Sequence, residues 1–173
     1  MQINIVWHSN NLKLIKDITT MKNVQKDLYN KFPSILKEKL KSGEIAFPNG
    51  TEYHYDKIEV YRAVARKKDD FSCVNRNDMQ SYAEKDMNKR VAFDSKKYDE
   101  NDPHYYGVSF FTNIRCLKVN MKFPRKNMKI AKGYVYQEGG SQHTKKEKHH
   151  VCWWIFKNVS FDDFIFCEED GNG

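Results

Sequence analysis

The stretch KKEKHHVCWWIFKN, residues 145–158, decides how the chain folds. In an extended strand successive side chains point to opposite faces. His150, Cys152, Trp154 and Phe156 then face one way, and His149, Val151, Trp153 and Ile155 the other. Both faces are largely apolar, as a strand buried on two sides requires. A base-stacking platform would instead keep its aromatics on one exposed face with polar residues behind. A metal site could draw on His143, His149, His150 and Cys152. No carboxylate or second cysteine stands at ligand spacing, however, and structural zinc needs a closed set of four ligands. The stretch therefore reads as a central core strand, with its histidines at the entrance.

A strand covered on both sides needs a chain long enough to cover it. The 173 residues suffice for one domain with a real core, and 14% aromatic residues exclude a disordered chain. Upstream, INIVW is a short strand candidate. TTMKNVQKDLYNKF then spaces Met21, Val24, Leu28 and Phe32 as a helical stripe, with Thr19 or Thr20 as cap. Pro33 interrupts that helix, and PSILKEKLKSG starts a second one that ends at Gly43. EIAFPNGTEYHY predicts two short strands around a turn. KIEVYRAVARK is the clearest internal strand, with Ile58, Val60, Arg62 and Val64 on one face. An arginine among three apolar residues is its oddity.

Residues 66–105 are weakly patterned, with one helix expected around NDMQSYAEKDM. YYGVSFF predicts a strand, Thr112 a cap for a helix through NIRCLKV, and KIAKGYVYQ a further strand. EGGSQHTKKEK reads as a polar turn, followed by HHVCWWIF and FDDFIFCEE as the last strand candidates. The sum is a single α+β domain over residues 1–173. Its sheet is mixed or antiparallel, with N-terminal helices and a C-terminal strand hairpin.

No basic flank precedes a long apolar stretch at the start, and VCWWIF falls far short of the roughly 20 residues that span a bilayer. The expectation is a cytoplasmic protein with no membrane partner. Cysteines at 73, 116, 152 and 167 form no C-x-x-C pair and read as free thiols, and no metal is expected.

Charge is uneven. The net +7 is matched by seven cations in one acid-free stretch, residues 103–137: Arg115, Lys118, Lys122, Arg125, Lys126, Lys129 and Lys132. Gathered on one face they would attract nucleic acid or an acidic protein. Lys145, Lys146 and Lys148 could join them, and Tyr105, Tyr106, Tyr134 and Tyr136 could stack bases. No pattern of a sequence-reading nucleic-acid module is present. A small inhibitory protein that occludes an acidic partner would carry the same charge. Scattered solvated lysines would too.

The chain lacks G-x-G-x-x-G, a G-K-[ST] loop, G-x-S-x-G and H-E-x-x-H. What remains is an order of residues: Arg62 in the strand IEVYRAV, Ser109 in YGVSFF, and Glu168 with Glu169 in FIFCEED. In that order the chain resembles the ADP-ribosyltransferase superfamily, a small α+β fold around a split sheet. The resemblance implies NAD as the cofactor. Arg62, with Tyr61 beside it, would hold the dinucleotide phosphates, which suits a planar bidentate donor. Ser109 would position the nicotinamide ribose. Glu168 would stabilise the positive charge at the sugar carbon. The family's Ser-Thr-Ser run is here SFFT, and the acidic pair is contiguous. The same residues also fit plainer roles: Arg62 paired with Asp69 or Glu59, Ser109 an ordinary strand residue, and the two glutamates a solvated tail.

Overall fold

A computed structural model describes residues 27–87 and 99–167. The strand candidate INIVW, the proposed caps Thr19 and Thr20, and Glu168 with Glu169 lie outside the described residues.

Helix ends at residue 31, ahead of Pro33, and resumes as α1 (Ser34–Ser42). Gly43 closes α1 at φ 76°, a left-handed turn that glycine takes without steric cost. Then follow β1 (Ile58–Ala65), α2 (Tyr82–Met87), a 3-10 turn (Pro103–Tyr106), β2 (Val108–Phe111) and α3 (Ile114–Asn120). Strands β3 (Met128–Val135), β4 (Gly140–Lys145), β5 (His150–Ile155) and β6 (Ile165–Phe166) complete the order. The six strands form one sheet, β4-β5-β2-β1-β3-β6, in which every described pairing is antiparallel. Hairpin β4–β5 lies at one edge, and β6 crosses to the other.

The two faces of β5 organise the core. Val151, Trp153 and Ile155 join Val60, Val64, Phe110, Val135 and Phe164 on one side of the sheet. Cys152, Trp154 and Phe156 face the helical layer, where they meet Phe32, Leu36 and Leu40. Phe47 packs on Trp154 at 4.7 Å between ring centres, and Phe32 on Phe156 at 5.0 Å. Both tryptophans are fully enclosed, so the stretch is core and no stacking platform.

Pairing is uneven across the middle of the sheet. Strands β1 and β3 run together over eight positions, from Ile58 opposite Val135 to Ala65 opposite Met128. Strands β1 and β2 pair at one position, Tyr61 opposite Phe111. Helix α3 carries the chain from β2 past β1 to β3 and packs on β1 and β2, burying Leu117. Its cap is Asn113, whose side-chain oxygen accepts from the N–H groups of Arg115 and Cys116, and not Thr112.

Three further expectations change. Residues 44–55 form a turn and a single bridge from Glu52 to Gln142 in place of two strands. Within 77–87 only α2 is helical. The polar segment 138–148, read as a turn, contains β4, whose Ser141 and Gln142 are buried. Gln142 is accommodated because its amide donates to Glu52 at 2.8 Å and accepts from the Thr144 hydroxyl at 2.6 Å.

Strand β3 admits no side chain at Gly133, where a Cβ would sit 2.4 Å from the Phe164 ring. Gly133→Ala is expected to cost about 1–3 kcal/mol by overpacking, seen as a lower midpoint in thermal melting followed by circular dichroism. An unchanged midpoint would show that Phe164 swings aside freely.

Candidate functional site

Arg62 stands where the β1–β2 ladder stops. Its guanidinium donates from Nη1 to the Ser109 carbonyl at 2.7 Å, from Nε to the Asp78 carbonyl at 3.0 Å, and from Nη2 to the Gln80 carbonyl at 3.3 Å. It lies 5.6 Å from the centre of the Phe110 ring. The arginine on an apolar face is thereby explained. It stitches two parted strands to the segment before α2, and it pairs with neither Asp69 nor Glu59. Burial lowers its pKa to about 10, which leaves it charged at neutral pH. Three of its five N–H groups are used, and two have no partner among the described residues.

The segment it holds is itself tied down. Arg66 grips Asp78 with two parallel hydrogen bonds, at 2.9 and 2.7 Å, and reaches Asp70 at 2.7 Å. Ser81 and Glu84 then cap α2 reciprocally. The Ser81 hydroxyl accepts from the Glu84 N–H at 3.2 Å, and the Glu84 carboxylate accepts from the Ser81 N–H at 2.8 Å. This capping box places Tyr82 and Lys85 beside Arg62.

Arg62, Gln80, Tyr82, Lys85, Gly107 and Ser109 line a small open cleft whose enclosed space is about 20 Å³. Its floor needs glycine at 107, since a Cβ there would lie 2.2 Å from the Cys152 sulfur. Burial pushes the Cys152 thiol well above its ordinary range, so it is an inert part of the core. Lys85 is half-buried, with its ammonium 5.8 Å from the centre of the Tyr82 ring. Burial first, and the charge on Arg62 second, lower its pKa to about 8.

Of the residues singled out in the sequence, the fold brings Arg62 and Ser109 together in this cleft. Tyr61 points to the other face of β1, where its hydroxyl donates to Glu59 at 2.9 Å and its ring lies 5.8 Å from Lys132 Nζ. Lys85 and Tyr82 were not foreseen. The S-x-x-E pattern at 81–84 was the available signal, because it fixes where α2 begins.

The basic stretch divides. Lys129 and Lys132 lie on opposite faces of β3. Lys129 donates to the Asp70 carbonyl at 2.7 Å between the Phe71 and Phe166 rings, and Lys132 pairs with Glu59 at 3.0 Å. Lys118 is half-buried, whereas Arg115, Lys122, Arg125 and Lys126 are exposed along α3 and the loop after it. Tyr105 and Tyr106 are core residues and offer no stacking surface.

A histidine group sits farther out on the helical face. Asp102 accepts from His104 Nδ1 at 2.8 Å, and His104 Nε2 meets His143 Nδ1 at 3.2 Å. His150 packs against Phe111, with ring centres 5.5 Å apart. Among the described residues, no three His, Cys, Asp or Glu side chains are arranged to hold a metal ion.

Burial, followed by the neighbouring Lys145, His104, His143 and Lys148, lowers the His150 pKa from 6.5 to about 4. The native ring stays neutral while the unfolded one takes up a proton. Stability present above pH 6.5 is therefore lost as pH falls toward about 4. His150→Gln should flatten the dependence of the urea midpoint on pH across that window. A variant with the wild-type slope would assign the loss to other groups. Comparison of the chain with protein-family models, with curated proteins and with solved structures found no match.

Proposed function

We propose that the protein is an NAD-utilising transferase of the ADP-ribosyltransferase type, acting at the cleft between β1, β2 and α2. One observation carries this reading. Arg62 and Ser109, 47 residues apart in sequence, meet through a 2.7 Å hydrogen bond on the wall of one cleft, where the sheet is parted. NAD supplies the ADP-ribosyl group and a leaving group in nicotinamide. The residues present suit its polar parts: a guanidinium with two unused N–H groups, a second cation in Lys85, and the Ser109 hydroxyl. With an enclosed space of about 20 Å³, the cleft is far smaller than a site that encloses a whole drug-sized ligand, so a dinucleotide would lie largely outside it. Arg62 would keep the phosphate end charged and fixed and Ser109 would orient the ribose, while the resemblance assigns to Glu168, outside the described residues, the carboxylate that an oxocarbenium-like state requires.

The test is nicotinamide release from millimolar NAD by the full chain, followed by chromatography. Ser109→Ala should lower the rate about 10-fold, the worth of one hydrogen bond, at an unchanged melting temperature. Absence of both release and a melting shift with NAD would overturn the proposal.

A second reading rests on Arg115, Lys122, Arg125 and Lys126, exposed within a stretch that holds no acid. These residues support docking on nucleic-acid phosphates. Four neutralised phosphates would give a slope of about −3.6 in a plot of log affinity against log salt for duplex DNA. A salt-insensitive complex, or none, would remove this reading.

A further inference from the structure

Three of the six histidines of the chain converge on one place outside the cleft, and Asp102 stands at its rim. The Asp102 carboxylate accepts from His104 Nδ1 at 2.8 Å and from the His104 backbone N–H at 2.9 Å. Burial works against its charge, but these two hydrogen bonds hold the carboxyl below its usual range. An ionised carboxylate can only accept, so the proton of the His104 ring sits on Nδ1 and faces Asp102. The far nitrogen, Nε2, meets His143 Nδ1 at 3.2 Å. His104 belongs to the 3-10 turn and His143 to β4, so the contact ties the turn to an edge strand of the sheet.

Two imidazoles share a hydrogen bond only while one of the facing nitrogens keeps its lone pair. Without an added proton, His143 Nδ1–H donates to His104 Nε2. With one, the facing nitrogens still hold a donor and an acceptor. With two, both rings are imidazolium, N–H faces N–H, and no acceptor is left. Like charges at that separation also repel. The surroundings decide how strongly the second proton is refused. Burial first, then His104 and Lys145, hold the His143 pKa below 6.5, against the pull of Glu147 and Glu52. Lys145 lies directly opposite His150 in the β4–β5 ladder, and Lys148 adds its charge next to it. Beneath Asp102 lies the Cys152 thiol, which burial keeps neutral. Protons reach the pair from solvent, since the side chains of His104 and Asp102 are 26% and 52% exposed.

We propose that Asp102, His104 and His143 form an acid-sensitive latch between the 3-10 turn and β4. It is closed while the two imidazoles hold at most one extra proton between them, and it opens when each carries its own. The native pair refuses a proton that the unfolded chain accepts. The contribution of the latch to stability is therefore whole above pH 6.5 and is lost as pH falls below it. Opening frees a turn that runs straight into Gly107, so the change is passed to the floor of the cleft. The latch is independent of what the cleft binds.

The experiment is nuclear magnetic resonance of the full chain from about pH 8 to about pH 5, a window above the value near 4 at which His150 charges. Imidazole nitrogen shifts read the tautomers, and amide exchange, expressed as protection factors, reads the turn. The His104 ring should stay protonated at Nδ1 throughout, and His143 should charge below pH 6.5. Protection of residues 103–107 should fall about 5-fold or more as it does, the worth of one hydrogen bond. Amides of β1 and β3 should keep their protection across the same window. His143→Gln, whose amide offers a donor and an acceptor at every pH, should make protection of 103–107 independent of pH. The wild-type readings decide the matter even if that variant melts early. Protection lost from β1 and β3 together with the turn would be global unfolding and would refute the latch. Steady protection of 103–107 while His143 charges would refute it too, as would a His143 ring still neutral at the acid end. A wild-type pH dependence in a folded His143→Gln would do the same.

Discussion

The middle of this fold depends on one half-buried guanidinium. Where β1 and β2 cease to pair, the Ser109 carbonyl would be left without a donor, and the carbonyls of Asp78 and Gln80 arrive with no strand to receive them. Arg62 satisfies all three. A buried carbonyl without a donor costs on the order of 1–3 kcal/mol, so three met by one side chain make a strong local constraint. Lysine is a poor replacement, because its single ammonium lacks the spaced donors of the guanidinium fork that reach these three carbonyls. The same placement opens the sheet, creates the cleft and sets a fixed positive charge in its wall.

Around that point the layers follow from β5. Its alternation divides the core in two: aromatic and β-branched residues under the loop segments on one face, and tryptophan, cysteine and phenylalanine under the N-terminal helices on the other. A sheet whose centre is covered on both sides can tolerate a gap between two of its strands. Phe110 of β2 shares one buried cluster with Val60 and Val64 of β1, so side chains span the gap. Segment 78–82 closes the gap through Arg62.

The sequence disclosed what periodicity encodes. Alternation in 149–156 and 58–65 placed two strands and assigned their faces, and the proline and glycine around 33–43 bounded α1. Where local chemistry and tertiary context compete, it misled. The segment GSQHTK is polar enough for a turn, yet pairing with β5 and the amide network of Gln142 draw it into the sheet. Arg62 suggested an ion pair, and its partners are main-chain carbonyls, which composition cannot reveal. Arg62 and Ser109 were legible as a pair. Lys85 was not, because its meaning comes from what surrounds it: a neighbouring cation, engaged acids and a space between.

The short last strand has a consequence for the molecule in company. Among the described residues, β6 meets only Ala131 and Lys132 of the eight residues of β3, and Cys167 adds one bond to Ile130. No other described strand pairs with the rest of that rim, a row of amides of the kind on which a second chain can add itself. Lys129 and Lys132 stand on this strand and project to opposite sides of the sheet. A stranger approaching edge-on would meet Lys129, bonded to the Asp70 carbonyl, on one side and Lys132, paired with Glu59, on the other. Two of the cations that the sequence accumulates between 103 and 137 thus flank the rim, and charged side chains at a sheet edge disfavour edge-to-edge joining of copies.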